Sequence, residues 1–314
     1  MTIAAVVIGR NEGARLVACL DALRGQVDHV VYVDSGSTDG SVAAAEAAGA
    51  EVVTLDMTHP FTAARARNAG LARIEGPVEL VQFLDGDCAL RAGWIERAAG
   101  FLRETPQVAV VCGRRRERFP QASVYNALID REWDTPPGRA LACGGDALMR
   151  MDALRAVGGY RADLIAGEEP ELCVRLRAAG WSIWRLDAEM TWHDADITRF
   201  SQWWRRTRRA GHAYAEGAAL HGAPPERHWV RETRRALFWG AALPLVILCL
   251  LPVAPAIALL AMLLYPVQIA RLSRRGGWTW ALFTVLGKVP EALGALQFHF
   301  RRLSGSGPRL IEYK

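Results

Sequence analysis

Two aspartates two positions apart, Asp85 and Asp87, close the apolar run that ends in Phe83-Leu84-Asp85-Gly86-Asp87. A carboxylate pair so placed can hold a hard divalent cation, Mg²⁺ or Mn²⁺, which binds one or two protein carboxylates and completes its shell with substrate phosphates. Taken alone, Asp-x-Asp is a common loop or cap pattern; its position at the end of a buried strand makes it a metal candidate and implies a diphosphate ligand. Asp34 likewise ends a run, Asp28-His29-Val30-Val31-Tyr32-Val33-Asp34, and a carboxylate at a strand tip can accept from a nucleobase N–H. The turn Ser35 to Gly40 follows, with Asp39 placed to cap the next helix. Arg65 and Arg67, on a helix expected from about Phe61, can pair with phosphate or with the metal-site carboxylates, an exposed helix face being the other place for Arg65.

The elements that must position these groups alternate. Short β-rich runs, TIAAVVIG, DHVVYVD, EVVTL, ELVQFLD and VAVVC, are separated by helical segments at 11–24, 39–49, 61–75 and 93–104. Continuous Val/Ile/Leu runs are buried on both faces, so the expected fold is α/β, a mostly parallel sheet flanked by helices. Such sheets bind ligands beyond the carboxyl ends of their strands. Gly9-Arg10-Asn11-Glu12, the Asp34 turn and Asp85-Gly86-Asp87 all fall there, which makes Gly9, Arg10, Glu12, Asp34 and Asp85 candidates for holding a nucleotide. Residues 1–113 read as that nucleotide-binding half. Residues 114–196, richer in loops, with a Gly-Gly-Asp turn at 144–146 and a helix over about 168–179, read as the acceptor half.

A chain of 314 residues with 51% hydrophobic and 23% charged side chains is folded, yet its apolar residues crowd the last quarter. Residues 236–270 contain no charged side chain, and arginines flank them: Arg234 and Arg235 before, Arg271, Arg274 and Arg275 after. A spanning helix needs about 20 apolar residues, so two shorter segments turning at Leu251-Pro252-Val253-Ala254-Pro255 suggest a hairpin, spanning or re-entrant. Arginines at both ends place both ends in the cytoplasm. Residues 197–235 read as a basic amphipathic juxtamembrane region, and 271–314 as an interfacial helix over 278–300 and a tail. The net charge of +5 comes almost wholly from arginine, gathered at 199–209 and 227–235 where anionic lipid headgroups would meet it, so a membrane and not nucleic acid is the expected partner. The six scattered cysteines lack metal-finger spacing and read as reduced thiols. Thr2 to Ile8 enters a strand directly, without the pattern of a cleaved leader.

Taken in order, VVIGRNEGARLVACLDAL, VDSGSTDGS, ARARNAG, FLDGDCAL and GEEPELCVRLRAAGW resemble the family 2 glycosyltransferases, over roughly residues 3–210. The resemblance implies an A-type glycosyltransferase fold, a nucleotide-diphosphate sugar donor, Mn²⁺ or Mg²⁺, and inversion at the anomeric carbon. It implies that Glu12 and Asp34 hold the nucleoside, that Arg67 lies near the phosphates and that Asp85 and Asp87 bind metal. Glu168-Glu169 stands where the family has Glu-Asp, so Glu169 matches the general base, with Glu171 a rival. His193, after Thr191-Trp192, resembles a histidine that joins the metal or diphosphate site in some relatives. Gln202-Trp203-Trp204-Arg205-Arg206 is similar to the Gln-x-x-Arg-Trp motif of processive synthases, with Arg206 where tryptophan is expected, which makes Gln202 and Arg205 candidates for acceptor or diphosphate contact and counts against processivity. The expected activity is transfer of a sugar to a lipid-linked or saccharide acceptor at the cytoplasmic face of the inner membrane, in cell-surface polysaccharide synthesis. The alternatives are a nucleotidyltransferase making sugar nucleotides and a catalytically silent scaffold that binds them.

Overall fold

The computed structural model describes residues 1–305; the end of the expected tail, 306–314, lies outside the described residues. The chain divides into two compact units, Met1–Thr198 and Arg199–Lys314.

The first unit is built on a nine-stranded sheet. Strands β1 (Ile3–Gly9), β2 (His29–Asp34), β3 (Glu51–Thr54) and β4 (Leu80–Asp85) are parallel, in the order β3-β2-β1-β4, and alternate with helices α1 (Ala14–Leu23), α2 (Ser41–Ala47) and α3 (Ala63–Arg73). The unbroken apolar run of β1, and β4 with its one buried glutamine, Gln82, are buried on both faces, as a sheet with helices on either side requires. Beyond β4 the sheet is mixed. After β5 (Cys88–Leu90) and α4 (Trp94–Glu104), β6 (Val108–Glu117) runs antiparallel to β8 (Ala147–Arg150) and parallel to β9 (Ser182–His193). β8 is antiparallel to β4, while β5 and β7 (Gly138–Ala140) each pair antiparallel with β9. The expectation of a mostly parallel sheet therefore holds for β1 to β4, and antiparallel pairings enter with β8.

β6 does not stop near 113 as its apolar run suggested. It continues through Arg114-Arg115-Arg116 to Glu117, so the two sequence halves share one sheet. Successive side chains on a strand point to opposite faces. Arg114 and Arg116 both pair with Asp130 of α5 (Val124–Glu132), while Arg115 reaches Asp146. Carboxylate partners on both faces let three arginines remain in a strand.

Two helix starts matter for the site. Thr62 caps α3, its hydroxyl accepting from Arg65 N at 3.0 Å. After the short α6 (Met151–Ala156), Gly167 takes the left-handed conformation, φ 82°, and begins α7 (Glu168–Ala178), which has Glu168, Glu169 and Glu171 in its first turn and Arg175 and Arg177 in its last. Both charge groups complement the helix dipole.

The second unit comprises α8 (Phe200–His221), α9 (Val230–Leu237), a π-helical turn over Phe238–Ala242, α10 (Leu243–Leu250), α11 (Pro255–Met262), α12 (Leu264–Leu286) and α13 (Lys288–Ser304). Pro244 has no N–H to continue the ladder, and the wide turn precedes it. Gly277, φ 78°, breaks α12. The expected interfacial helix over 278–300 falls on the end of α12 and on α13, which meet at Gly287 in a helical conformation, φ −60°. Val230–Leu250 and Pro255–Ser304 are long and apolar enough to cross a membrane.

Candidate active site

The carboxyl ends of β1, β2 and β4 converge as the strand pattern requires, with Gly9 beside Asp34 and Ile8 beside Asp85 in register. Gly9 and Gly86 allow close approach: a Cβ on Gly9 would lie 3.2 Å from the Glu12 side chain, and one on Gly86 3.1 Å from it. Asn11 stitches the first two loops, its amide N donating to Ser37 Oγ at 2.9 Å and its side-chain oxygen accepting from Thr38 N at 2.7 Å. Asp34 is buried and organises the turn after β2: Oδ2 accepts from the N–H groups of Gly36 and Ser37, and Oδ1 from the Tyr32 hydroxyl at 3.1 Å. Burial, then the Asp34 charge, push Tyr32 well above the usual phenol range, so that hydroxyl stays a donor. Glu12 pairs with Arg15 at 2.9 Å, and Arg10 is exposed at the rim.

Asp87 faces His193, the last residue of β9, with Nε2 3.3 Å from Asp87 Oδ1. Ligand atoms of Asp87, Cys88 and His193 lie within 4.8 Å of one another, as do those of Asp85, Cys88 and Asp146. Burial, then the carboxylates of Asp146, Asp87 and Asp85, hold Cys88 well above the thiol range against the opposing pull of Arg115, which leaves oxygen and imidazole donors. Carboxylate and imidazole suit Mn²⁺ or Mg²⁺ better than a soft metal, and the buried His193 is within ligand distance of Asp87, so the residues fit such an ion. Burial alone would lower the His193 pKa; the Asp87 charge and hydrogen bonds to Asp87 and Glu117 outweigh it and raise the value.

Glu117 is a neighbour that sequence reasoning missed. Its buried carboxylate lies 3.7 Å from His193 Nδ1 and accepts from the N–H groups of Phe119 and Ala195, each at 3.0 Å. Its signal was hidden because β6 and β9 pair Glu117 with His193 only through long-range register.

Arg67 is fully enclosed and ties the metal-side carboxylate to the acidic pair of α7. Its Nη2 donates to Asp85 Oδ1 at 2.8 Å, and its Nη1 lies 2.8 Å from Glu168 Oε1 and 2.9 Å from Glu169 Oε1. Asp85 is one of the carboxylates its helix position suggested, and the acidic pair of α7 is a further partner. Burial pushes Glu169 up to about 7, the Glu168 charge adding to this while Arg67 pulls down. Glu171 is also buried, not on an exposed face, and Arg175 clamps its carboxylate at 2.8 to 3.0 Å. Arg65 is occupied by the backbone carbonyls of Asp56, His59 and Pro60.

Arg115 and Asp146 were not singled out by their types. Asp146 is fully buried, 2.8 Å from Arg115 and accepting from Thr191 Oγ1 at 2.7 Å; Arg115 also lies 3.7 Å from Asp85 and packs over the Trp133 ring. The Gly-Gly-Asp turn was visible in sequence, and the alternation within the arginine run was the available clue to the partner. Gly145 supplies the close approach: a Cβ there would lie 2.7 Å from Arg67 Nη2 and 2.9 Å from Asp85 Oδ2.

Gln202 and Arg205 belong to the second unit. Gln202 is buried and caps α8, its oxygen accepting from Arg199 N at 2.9 Å, and the exposed Arg205 donates to the Ser201 carbonyl of its own helix.

The architecture is the A-type glycosyltransferase fold. A mannosyltransferase from Pyrobaculum calidifontis, solved with GDP-Man and Mn²⁺, matches it with a TM-score of 0.65 over 94% of this chain and 86% of its own, at 21% identity. Residues 4–157 match glycosyl transferase family 2, and this stretch is a domain of that family. The pre-mycofactocin glycosyltransferase of Mycobacterium tuberculosis is 29% identical over 235 residues, 69% of this chain and 47% of its own length. The succinoglycan biosynthesis protein ExoA of Rhizobium meliloti is 28% identical over 193 residues, 56% of this chain and 58% of its own. The chain thus spans about half the length of these curated relatives.

Proposed function

We propose that this chain transfers a glycosyl group, with inversion, from a nucleotide-diphosphate sugar to an acceptor hydroxyl. The observation that carries the reading is the Arg67 bridge, which joins Asp85, one of the two strand-end aspartates, to the acidic pair Glu168-Glu169. Asp34 and the loop around Glu12 offer the nucleoside its acceptors. Asp85, Asp87 and His193 would hold Mn²⁺ or Mg²⁺, which supplies Lewis acidity to the leaving diphosphate oxygens. Glu169, ionised, takes the proton of the acceptor hydroxyl, whose oxygen then forms the new bond at the anomeric carbon on the face opposite the leaving group. The bond from that carbon to the phosphate oxygen breaks, and the nucleoside diphosphate departs.

The acceptor that fits this reading is a lipid-linked saccharide, with the catalytic unit on the cytoplasmic side of the inner membrane. Its support is the arginine-flanked apolar hairpin, together with the likeness to a succinoglycan biosynthesis protein. Full-length chain should float with liposomes.

Incubation of the full chain with nucleotide sugars and Mn²⁺ tests the chemistry. Slow release of nucleoside diphosphate is the expected product. Pyrophosphate would assign a nucleotidyltransferase, and binding without turnover a scaffold.

A further inference from the structure

The second unit contains a helical hairpin whose ends and tip differ sharply in chemistry. The Tyr265 hydroxyl donates to the Trp239 carbonyl at 2.8 Å, and Leu243, Ile247 and Ala258 pack in the seam between the arms. That contact sets the register. Arg235 lies just before Trp239 and Arg271 just after Tyr265, so the two arginine groups sit at the same end. Aromatic rings mark that end alone, since residues 240–264 contain none. A hairpin that crosses a bilayer is expected to show interfacial anchors at both surfaces.

The arms are short. From Arg235 to Leu251, and from Pro255 to Arg271, a helix rising about 1.5 Å per residue reaches about 24 Å, whereas the hydrocarbon core is about 30 Å thick. The turn Leu251-Pro252-Val253-Ala254-Pro255 carries no polar side chain, and Val253 is 77% exposed. Its backbone donors are consumed within the hairpin. Leu251 N donates to Ile247 O at 3.0 Å, Val253 N and Ala254 N donate to Leu250 O at 3.1 and 2.7 Å, and the two prolines have no N–H. An unsatisfied backbone donor is costly in hydrocarbon, and this turn leaves none.

We infer that the hairpin is re-entrant: it enters and leaves the bilayer on its arginine-bearing face, and its tip at Val253 rests in hydrocarbon without reaching the opposite surface. This rests on the membrane reading above, and the test separates the two. Full-length chain carrying Cys249→Ser and Val253→Cys is labelled with a nitroxide in detergent, reconstituted into liposomes and floated; a second sample carries the label at Arg274→Cys on the rim. At 253 the label should collide freely with dissolved oxygen and lose nearly all collisions with a water-soluble nickel chelate present on both sides, while the 274 label collides with the chelate. A protein that floats but shows equal chelate collisions at 253 and 274 crosses the bilayer, which overturns the inference alone. A protein that fails to float overturns the membrane reading and the inference with it.

Discussion

Arg67 and Glu168, 101 positions apart in sequence, meet at 2.8 Å inside the first unit. The same guanidinium lies 2.9 Å from Glu169 and 2.8 Å from Asp85, so one buried cation holds three carboxylates that would otherwise repel. Arg67→Met should leave those charges uncompensated and cost about 3–5 kcal/mol of stability, the range for breaking a buried ion pair. Urea denaturation of the first unit's signal checks it; an unchanged midpoint would show that the bridge is not structural.

Glu169 must be ionised to accept a proton, and burial has raised it to about 7. The turnover rate should therefore climb with pH through about 7 and fall about tenfold per unit below it, since each unit of pH removes that fraction of the ionised base. Glu169→Gln should keep donor binding, abolish that pH limb and lower turnover by at least about a hundredfold. Glu171→Gln loosens the Arg175 clamp and should lower stability while leaving the pH limb in place. A pH limb that persists in the Glu169 variant assigns the base elsewhere.

Asp87→Asn should weaken the Mn²⁺-dependent affinity for nucleoside diphosphate, measured by calorimetry, with the fold intact. Glu117, 3.7 Å from His193 Nδ1, should act on the same property through that imidazole. Partners of metal-bound histidines typically change metal affinity by about 10- to 100-fold. Glu117→Gln should do so in the wild-type background and add almost nothing to a His193→Ala variant. Additive losses would mean that Glu117 works independently of the imidazole.

Gly145→Ala places a methyl 2.7 Å from Arg67 Nη2 and 2.9 Å from Asp85 Oδ2. It should displace the bridge and depress both Mn²⁺ affinity and turnover. Gly144→Ala is the control, because no atom lies within 4 Å of its added Cβ. Equal behaviour of the two variants would remove the close approach from the argument.

The strand ends were legible in the amino-acid sequence because they depend on local patterns. A mostly apolar run ending in Asp34 or in Asp85-Gly86-Asp87 specifies a buried strand and a polar tip without reference to distant residues. The uncharged stretch 236–270 is local in the same way, and so is the acidic first turn of α7. Partner choice was not local. Arg67 was expected beside phosphate or the strand-end carboxylates, and only the tertiary placement of α7 brings Glu168 and Glu169 to it as well. Arg114-Arg115-Arg116 falls beyond the apolar run VAVVC, and only Asp130 and Asp146, approaching from opposite faces, hold it in β6. Gln202 matched a motif, yet its own helix end takes its oxygen. The sequence by itself determined the fold class, the strand tips and the apolar hairpin, because hydrophobic periodicity acts over a few residues. Tertiary structure alone decided which charges meet, because the pairing of β6, β8 and β9 and the seating of α7 join residues that no short-range pattern connects.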